Sequence, residues 1–354
     1  MSDKKVLIVG AGPTGLTAAV ELIRQGIIPI VIDKKDEGST LSRAVGIIPN
    51  SLKILEASGV TSKLLEEGIK IFHGLVHLNQ KKVLDIEFEG KTKPYDVILA
   101  LPQDRTEIIL SEKLKEFGGE ISYSKELVNF KNEHGKIIAT LKSGEEIEAD
   151  YLIGADGIKS QVRSLSGIEY PGIDLDETWS IADVNAKSWP HKNAISIYRV
   201  KGGKAIIIVP IAKNRYRLVS NTPKALDTLP IPLEVININR EGTFNISVRQ
   251  AESYQKGNIF LAGDAAHCHS PVGGRGMNLG IADAVQLAEL IINDQTDNYT
   301  KIRHAAGKEV VQGSEKMRKL VTDVHKEFML KTTLEMASLI KPLRNVAAKR
   351  MLGV

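Results

Sequence analysis

Three glycine-containing clusters are the parts of this 354-residue sequence whose residue types and spacing could do chemistry. The first, GAGPTG at 10–15, lies between the apolar run KVLIV (5–9) and a helical pattern that ends at Gly26. In such a turn the first glycine permits a tight bend, the second lets the backbone approach a pyrophosphate, and the third lets the helix pack closely on the strand. The helix N-terminus then offers N–H groups and partial positive charge to phosphates. The residues assigned to this cluster are Gly10, Gly12, Pro13, Thr14 and Gly15.

An acidic residue follows at the spacing that a dinucleotide site requires. The apolar run IPIVI (28–32) ends at Asp33, where a carboxylate can hydrogen-bond a ribose hydroxyl, and we include the adjacent Lys34. Strand, turn, helix and strand together form a βαβ unit. The pattern therefore predicts a dinucleotide site without saying which dinucleotide, and a glycine-rich turn without a ligand is the alternative.

The second cluster is GADGIKSQVR at 154–163. A strand, YLIG, delivers Asp156 and Gly157 at its end, and a serine and an arginine follow on a short helical turn. Taken alone, this pattern is equally typical of a binding turn and of an ordinary turn.

The third cluster runs from residue 263 to residue 278 and is the most informative. Asp264 ends the buried run NIFLAG (258–263), where its carboxylate could accept hydrogen bonds from a polyol or ribose. The glycines of 273–276 allow the backbone to press against a flat ring, and a helix starting near Met277 directs its positive end there. A structural loop is the alternative. The residues assigned to this cluster are Gly263, Asp264, Pro271, Gly274, Gly276, Met277 and Asn278.

The elements that must position these clusters alternate between two sheet types. Continuous apolar runs predict buried parallel strands at both ends, whereas 195–200, 205–211 and 215–220 alternate as antiparallel strands do. We therefore predict an α/β fold with a discontinuous nucleotide-binding domain and an inserted, mostly antiparallel domain. The predicted division is 1–70, 95–170 and 257–300 for the first domain, 71–94 and 171–256 for the second, and 301–354 for a C-terminal helical segment.

The order of the clusters, ending in GDAAHxxxPxGGxGMNxGxxDA, resembles the class A flavoprotein monooxygenases, the para-hydroxybenzoate hydroxylase-like group, over essentially the whole chain. Residues 42–60 are also similar to the flavin-contacting segment of that family, and residues 101–114 are similar to the entrance of its next helix. The resemblance implies noncovalent FAD in a Rossmann-like domain, with the inserted β-sheet domain holding substrate. It also implies that Arg43, Gln103 and Arg105 face the flavin and that Leu127 lends its backbone to the adenine.

The reaction that the resemblance implies has two halves. NAD(P)H reduces FAD and leaves; O2 then forms a flavin C4a-hydroperoxide, which hydroxylates an aromatic or polyketide-like small molecule. No catalytic triad is expected, since the protein positions the reactants and excludes water. A FAD-dependent reductase of a prenyl or other unsaturated substrate, and a flavin-binding protein without turnover, are the alternatives.

Substrate and metal candidates are weaker. His73, Tyr198 and Tyr216 lie on predicted strands and are our substrate candidates, although alternation does not identify the face that lines a pocket. Adjacent residues at 267–269 cannot easily converge on one ion, so we expect no metal.

Composition sets the remaining limits. A net charge of +4, from interleaved Lys/Arg and Asp/Glu, does not favour nucleic acid. The lone Cys268 excludes an internal disulfide, and the apolar pattern beginning at Val6 leaves no room for a signal peptide, so we expect a cytoplasmic protein, monomer or homodimer. Residues 334–351 carry apolar residues at helical spacing with several cations. We favour docking on the FAD domain over peripheral membrane contact for this segment and expect no membrane insertion.

Overall fold

The computed structural model describes residues 4–38, 44–187, 189–323, 325 and 327–353. Its strands form sheets of six and eight strands and two sheets of three, and helices pack around them. This confirms the expected mixed α/β fold class with C-terminal helices. No described helix is both long and apolar enough to cross a membrane.

The strands, in chain order, are β1 (Val6–Val9), β2 (Ile30–Ile32), β3 (Gly46–Ile47), β4 (Ile69–Ile71), β5 (His73–Leu78), β6 (Lys81–Glu87), β7 (Ile98–Ala100), β8 (Ile121–Ser122), β9 (Leu127–Glu133), β10 (Lys136–Leu141), β11 (Glu146–Ala149), β12 (Tyr151–Gly154), β13 (Gly172–Lys187), β14 (Ala194–Arg199), β15 (Ala205–Ala212), β16 (Arg215–Ser220), β17 (Glu234–Gln250), β18 (Gln255–Lys256), β19 (Ile259–Leu261) and β20 (His267–Cys268). The α-helices are α1 (Pro13–Arg24), α2 (Pro49–Ile54), α3 (Val60–Glu67), α4 (Gln103–Glu116), α5 (Gln161–Ser166), α6 (Gly276–Ile292), α7 (Tyr299–Thr322), α8 (Glu327–Leu339) and α9 (Lys341–Leu352).

The six-stranded sheet has the order β18-β19-β12-β1-β2-β8, and all its pairs are parallel except β18 with β19. Val6, Leu7 and Ile8 are fully buried, as the continuous apolar run predicts for a strand covered on both faces. α1 packs against α4 and α6. Because β1, β2, β12 and β19 run in the same direction, their carboxyl ends meet at one edge of the sheet.

The eight-stranded sheet has the order β20-β17-β13-β16-β15-β14-β5-β6 and is antiparallel except between β14 and β5. Its cross-strand pairs define two faces. Val209 pairs with Arg217 on what we call the inner face, whereas Ile208 pairs with Leu218 on the outer face. The division of the chain into domains stays a prediction, and β20, which falls in the predicted FAD-binding piece, pairs with β17 of this sheet.

The C-terminal helices pack on the inner face of the eight-stranded sheet. Ala337 of α8 and Ala348 and Leu352 of α9 are buried in one cluster with Ile86 and Val209. The main docking surface is therefore this sheet and not the FAD domain that we expected. The physical reason is that the inner face of β6 and β15 presents apolar side chains that need a cover, which the helical pattern alone could not reveal.

Candidate functional site

The three glycine clusters follow the carboxyl ends of three adjacent parallel strands. Gly10 follows β1, Ala155 follows β12, and Gly263 lies two residues beyond β19. The Ala155 amide donates to the Val9 carbonyl (2.8 Å) and the Ala262 amide to the Gly154 carbonyl (3.0 Å). The fold thus brings together segments that are about 250 residues apart, at the edge where open parallel sheets bind ligands.

Close packing explains the glycines of the first cluster. Gly10 has φ +108°, and a Cβ there would lie 2.4 Å from the Ala155 carbonyl oxygen. A Cβ on Gly15 would lie 1.9 Å from the Gly10 carbonyl oxygen, whereas a Cβ on Gly12 would meet nothing within 4 Å. Gly10 and Gly15 therefore serve the packing of the turn, and Gly12 borders open space.

Thr14 joins the first cluster to the third. A Cβ on Gly263 would lie 2.5 Å from the Thr14 hydroxyl oxygen, and a Cβ on Gly280 would lie 2.3 Å from it. The first turn of α1, which includes Pro13, is therefore held against the start of the third cluster and against α6.

Asp33 is buried at the end of β2 and is held by two backbone groups. Its Oδ2 accepts a hydrogen bond from the Ala11 amide (2.7 Å), and its Oδ1 accepts one from the Lys35 amide (2.9 Å). Each carboxylate oxygen has two lone pairs, so this acid can accept further bonds. The neighbouring Lys34 is exposed.

Asp156 holds the start of α5. Its Oδ2 accepts hydrogen bonds from the amides of Gln161 (2.7 Å) and Val162 (3.2 Å). Its Oδ1 is buried and accepts no hydrogen bond from the described residues. Burial raises the pKa of Asp156, against hydrogen bonds that lower it. Gly157 beside it has φ +81°, with open space where a side chain would be.

A buried charge network that we did not nominate supports the third cluster. Asp283 of α6 accepts hydrogen bonds from the Gly263 amide (3.1 Å) and Arg303 Nε (2.7 Å), and it lies 2.5 Å from His267 Nε2. Asp264 itself is exposed. The sequence signal for Asp283 was an acid on an otherwise apolar helix face; Arg303 had none, because its partner depends on how α7 packs.

The loop from Pro271 to Gly276 turns sharply before α6. Gly273 and Gly274 have φ +102° and +62°, and the Gly274 amide donates to the Pro271 carbonyl (2.9 Å). α6 begins at Gly276, with Met277 buried in its first turn and without a side-chain cap. The positive end of this helix is thus available to a ligand.

Asn278 links that helix to the segment around β3. Its Oδ1 accepts from the Ile48 amide (3.0 Å), and its Nδ2 donates to the carbonyls of Gly46 (2.8 Å) and Gly274 (3.0 Å). Both N–H groups of the side chain are therefore used inside the protein. These bonds give the side chain a positioning role, and a hydrogen bond from Asn278 to a bound ring stays a prediction.

The residues nominated by resemblance have different surroundings. Gln103 Oε1 accepts from the Ala44 amide (3.2 Å), so it orders the segment that follows Arg43, which itself lies outside the described residues. Arg105 forms a two-bond ion pair with Glu67 (2.9 and 2.8 Å), which directs its guanidinium towards α3. Leu127 is buried at the start of β9.

The inner face of the eight-stranded sheet reaches the same region. Arg217 is fully buried, donates to both carboxylate oxygens of Asp183 (2.7 and 2.8 Å), and donates through Nη1 to the Ala44 carbonyl (3.1 Å). Val272 of the third cluster packs in one apolar group with Trp179 and Val219. The inner face therefore borders the third cluster.

Our substrate candidates lie on the outer face instead. Tyr198 stacks on His77 (4.1 Å between ring centroids), Tyr216 packs near Trp189, and His73 hydrogen-bonds Asp85 (3.0 Å). The structure does not bring these three side chains together with the clusters, and their role as substrate contacts stays a prediction. The alternation of apolar and polar residues divides a strand into two faces. Which of the two faces borders the clusters depends on how the eight-stranded sheet packs in the fold.

Comparison with known proteins decides the family. A family model described as "FAD binding domain" matches residues 3–230 and 216–314. The chain is 30% identical over 352 residues to an uncharacterized aromatic compound monooxygenase of Bacillus subtilis (strain 168), covering 91% of this chain and 69% of the relative. The chain belongs to the class A FAD-dependent monooxygenases.

Two further likenesses agree. A rifampicin monooxygenase of Rhodococcus hoagii is 31% identical over 314 residues, covering 81% of this chain and 63% of the relative. The solved structure of p-nitrophenol 4-monooxygenase from Pseudomonas putida DLL-E4 has a TM-score of 0.88 at 19% identity and covers 99% of both chains, which shows the fold. The chain spans 55% to 69% of the lengths of four curated relatives that it matches.

The described residues of this monooxygenase fit FAD. Open space at Gly12 beside an α1 terminus without a side-chain cap suits a pyrophosphate. Asp33 retains lone pairs for a ribose, and the exposed Asp264 lies at the same edge. The uncapped start of α6 suits the electron-rich edge of an isoalloxazine.

Proposed function

We propose that this chain binds FAD noncovalently and, with NAD(P)H and O2, hydroxylates an aromatic or polyketide-like small molecule. One observation carries the proposal. The three clusters meet at one edge of the six-stranded sheet, and the third cluster also borders the inner face of the eight-stranded sheet. Bound FAD supplies the redox chemistry, taking two electrons from NAD(P)H and activating O2. The protein's part is to bind, orient and exclude water.

Each cluster then has a role in holding FAD. The N-terminus of α1, with Gly12, takes the pyrophosphate, and Asp33 accepts hydrogen bonds from the ribose hydroxyls. Asp264 accepts hydrogen bonds from a polyol of the cofactor. The turn at Gly273 and Gly274 and the start of α6 lie against the flavin ring, and Asn278 keeps that turn next to β3.

The inner face next to Val272 is the proposed wall of the substrate site. Trp179 is buried there, and Val219 and Phe244 are partly buried beside it. Apolar and aromatic side chains of this kind suit a flat organic substrate. Relatives named for aromatic compounds and for rifampicin support that substrate class.

Cys268 supports noncovalent cofactor binding. The thiol is buried, and burial raises its pKa to about 11, so it stays protonated and unreactive at neutral pH. A chain with a single cysteine does not depend on an internal disulfide, and we propose the cytoplasm as its compartment. A monomer or homodimer is the proposed assembly.

The test combines cofactor binding with product analysis. We expect the purified protein to show a flavin absorption spectrum and, with a suitable phenol, to oxidise NAD(P)H and insert one atom of labelled O2 into the product. Asp264→Ala should weaken FAD binding at least about tenfold, because it removes a charge-assisted hydrogen bond that contributes about 1.5–3 kcal/mol. The matched control is Asp227→Ala, an exposed acid on a short turn after β16.

Other outcomes would identify the alternatives. A product that gains two hydrogens and no oxygen would indicate the reductase. A bound flavin that is never reduced by NAD(P)H would indicate a carrier, and a protein that binds no FAD would contradict the whole proposal.

A further inference from the structure

Apolar side chains project into solvent where α8 meets α9. Leu339 at this corner is 83% exposed, although Ala337, Ala348 and Leu352 on the other side of the same helices are buried. The amide of Ile340 donates to the Met336 carbonyl (2.9 Å) at the end of α8, and the Ile340 carbonyl accepts from the Arg344 amide (3.1 Å) at the start of α9, so the two helices meet at this single extended residue. We call the exposed apolar residues the corner patch: Met336, Leu339, Ile340, Leu343 and Val346.

Cations surround the corner patch. Between residues 331 and 350 the sequence has five lysines and arginines and a single acid, Glu335. Glu335 lies 3.9 Å from Lys331. Within the part of the chain that the structure describes, no acid lies within ion-pair distance of the other four: Lys341, Arg344, Lys349 and Arg350. The patch is therefore both apolar and strongly positive.

This combination selects among possible occupants. A second copy of the chain, docked through the same patch about a two-fold axis, would bring the four cations of one protomer against those of the other. An anionic lipid surface has the opposite charge and accepts apolar side chains between its headgroups. Charge complementarity therefore favours the lipid surface.

We propose that the corner patch binds peripherally to anionic phospholipid membranes. Leu339, Leu343 and Val346 enter the headgroup region, and the surrounding cations contact phosphates. The helices lie on the surface without crossing it. This binding does not depend on FAD, so it stands or falls separately from the proposed catalytic function.

The experiment measures sedimentation of the full chain with vesicles. We expect binding to phosphatidylcholine vesicles containing phosphatidylglycerol, at least about tenfold weaker binding to phosphatidylcholine alone, and release by salt. The double variant Leu339→Glu/Leu343→Glu should lose at least about tenfold in affinity. Its matched control is Ile236→Glu/Ile238→Glu, which changes two exposed isoleucines on β17.

A second variant keeps the apolar residues. Lys349→Glu/Arg350→Glu should abolish the preference for anionic vesicles, and circular dichroism should show that all the variants are folded. The proposal is overturned if the wild-type chain binds neither vesicle or if the two leucine changes leave binding unaltered. It is also overturned if analytical ultracentrifugation shows a dimer that Leu339→Glu/Leu343→Glu dissociates, since the occupant would then be a second copy.

Discussion

Gly10 and Gly26 show how differently two glycines with positive φ constrain this protein. Gly26 lies two residues beyond the end of α1 with φ +91°, and a Cβ there would meet nothing within 4 Å. Gly10 combines φ +108° with a carbonyl oxygen 2.4 Å from the position of a Cβ. Of these two glycines, only Gly10 lies where an added side chain would push the first cluster away from the second.

We therefore expect Gly26→Ala to show the effect of backbone strain alone, and Gly10→Ala to show the effect of strain together with a steric clash. Gly26→Ala should cost about 1–2 kcal/mol of unfolding free energy and leave FAD affinity unchanged. Gly10→Ala should cost roughly 2–6 kcal/mol, since strain and overpacking add, and should weaken FAD binding as well. Urea denaturation and flavin titration measure the two quantities. Equal effects of the two changes on FAD affinity would contradict the proposed role of the first cluster.

The clusters could be predicted from sequence because glycines and acids after apolar runs report local backbone needs. Their convergence also follows from parallel strand direction. The partners of individual side chains could not be predicted. Asn278 and Arg217 each bond to the segment 44–48, and such bonds depend on tertiary packing that no local pattern records. For the same reason, the sequence left open which face of the eight-stranded sheet borders the clusters.

Asp283 connects three elements, because its carboxylate bonds the turn after β19 and a side chain of α7 while its own backbone is in α6. Burial alone would raise the pKa of Asp283, but the charges and hydrogen bonds of His267 and Arg303 outweigh it, and the pKa is lowered. Tyr254 and Tyr299 also face this carboxylate.

Asp283→Asn should therefore destabilise the protein in a pH-dependent way. At neutral pH we expect a loss of about 3–5 kcal/mol, because Arg303 is left in a buried site without its charged partner. A lowered folded-state pKa means that the ionised carboxylate contributes stability above the unfolded pKa of about 4, and that this contribution is lost as the pH falls through the folded pKa. The difference in urea unfolding free energy between wild type and variant should narrow below about pH 4.

The control for that experiment is Asp174→Asn. Asp174 pairs with Arg249 at the surface, and hydrogen bonds from Arg249 and Ser247 lower its pKa to about 2. Its removal should change stability little. If the difference in unfolding free energy between the wild type and Asp283→Asn stays constant from neutral to acidic pH, Asp283 contributes to stability through packing and not through its charge.

Arg217 links the eight-stranded sheet to the segment that precedes β3. Its guanidinium joins Asp183 of the eight-stranded sheet to the Ala44 carbonyl, next to Gln103 and the third cluster. Arg215 offers a matched comparison, because it lies 3.6 Å from the same carboxylate but its side chain is 41% exposed. The pair thus separates a buried link between the eight-stranded sheet and the segment 44–48 from a surface charge beside the same acid.

We expect Arg217→Met to cost about 3–5 kcal/mol of unfolding free energy, and Arg215→Met about 0–1 kcal/mol. The double variant Asp183→Leu/Arg217→Met should recover most of the stability, because no buried charge is then left without its partner. It should still lack the bond to Ala44. We therefore expect substrate to accelerate its NAD(P)H oxidation less than in the wild type, and we expect less hydroxylated product for each NAD(P)H consumed. Denaturation and product analysis of the same three variants test this. If the double variant has wild-type stability and its NAD(P)H oxidation is fully coupled to product formation, Arg217 only stabilises the sheet. If stability is recovered but NAD(P)H oxidation is uncoupled from product formation, the bond from Arg217 to Ala44 positions the segment 44–48 for the reaction.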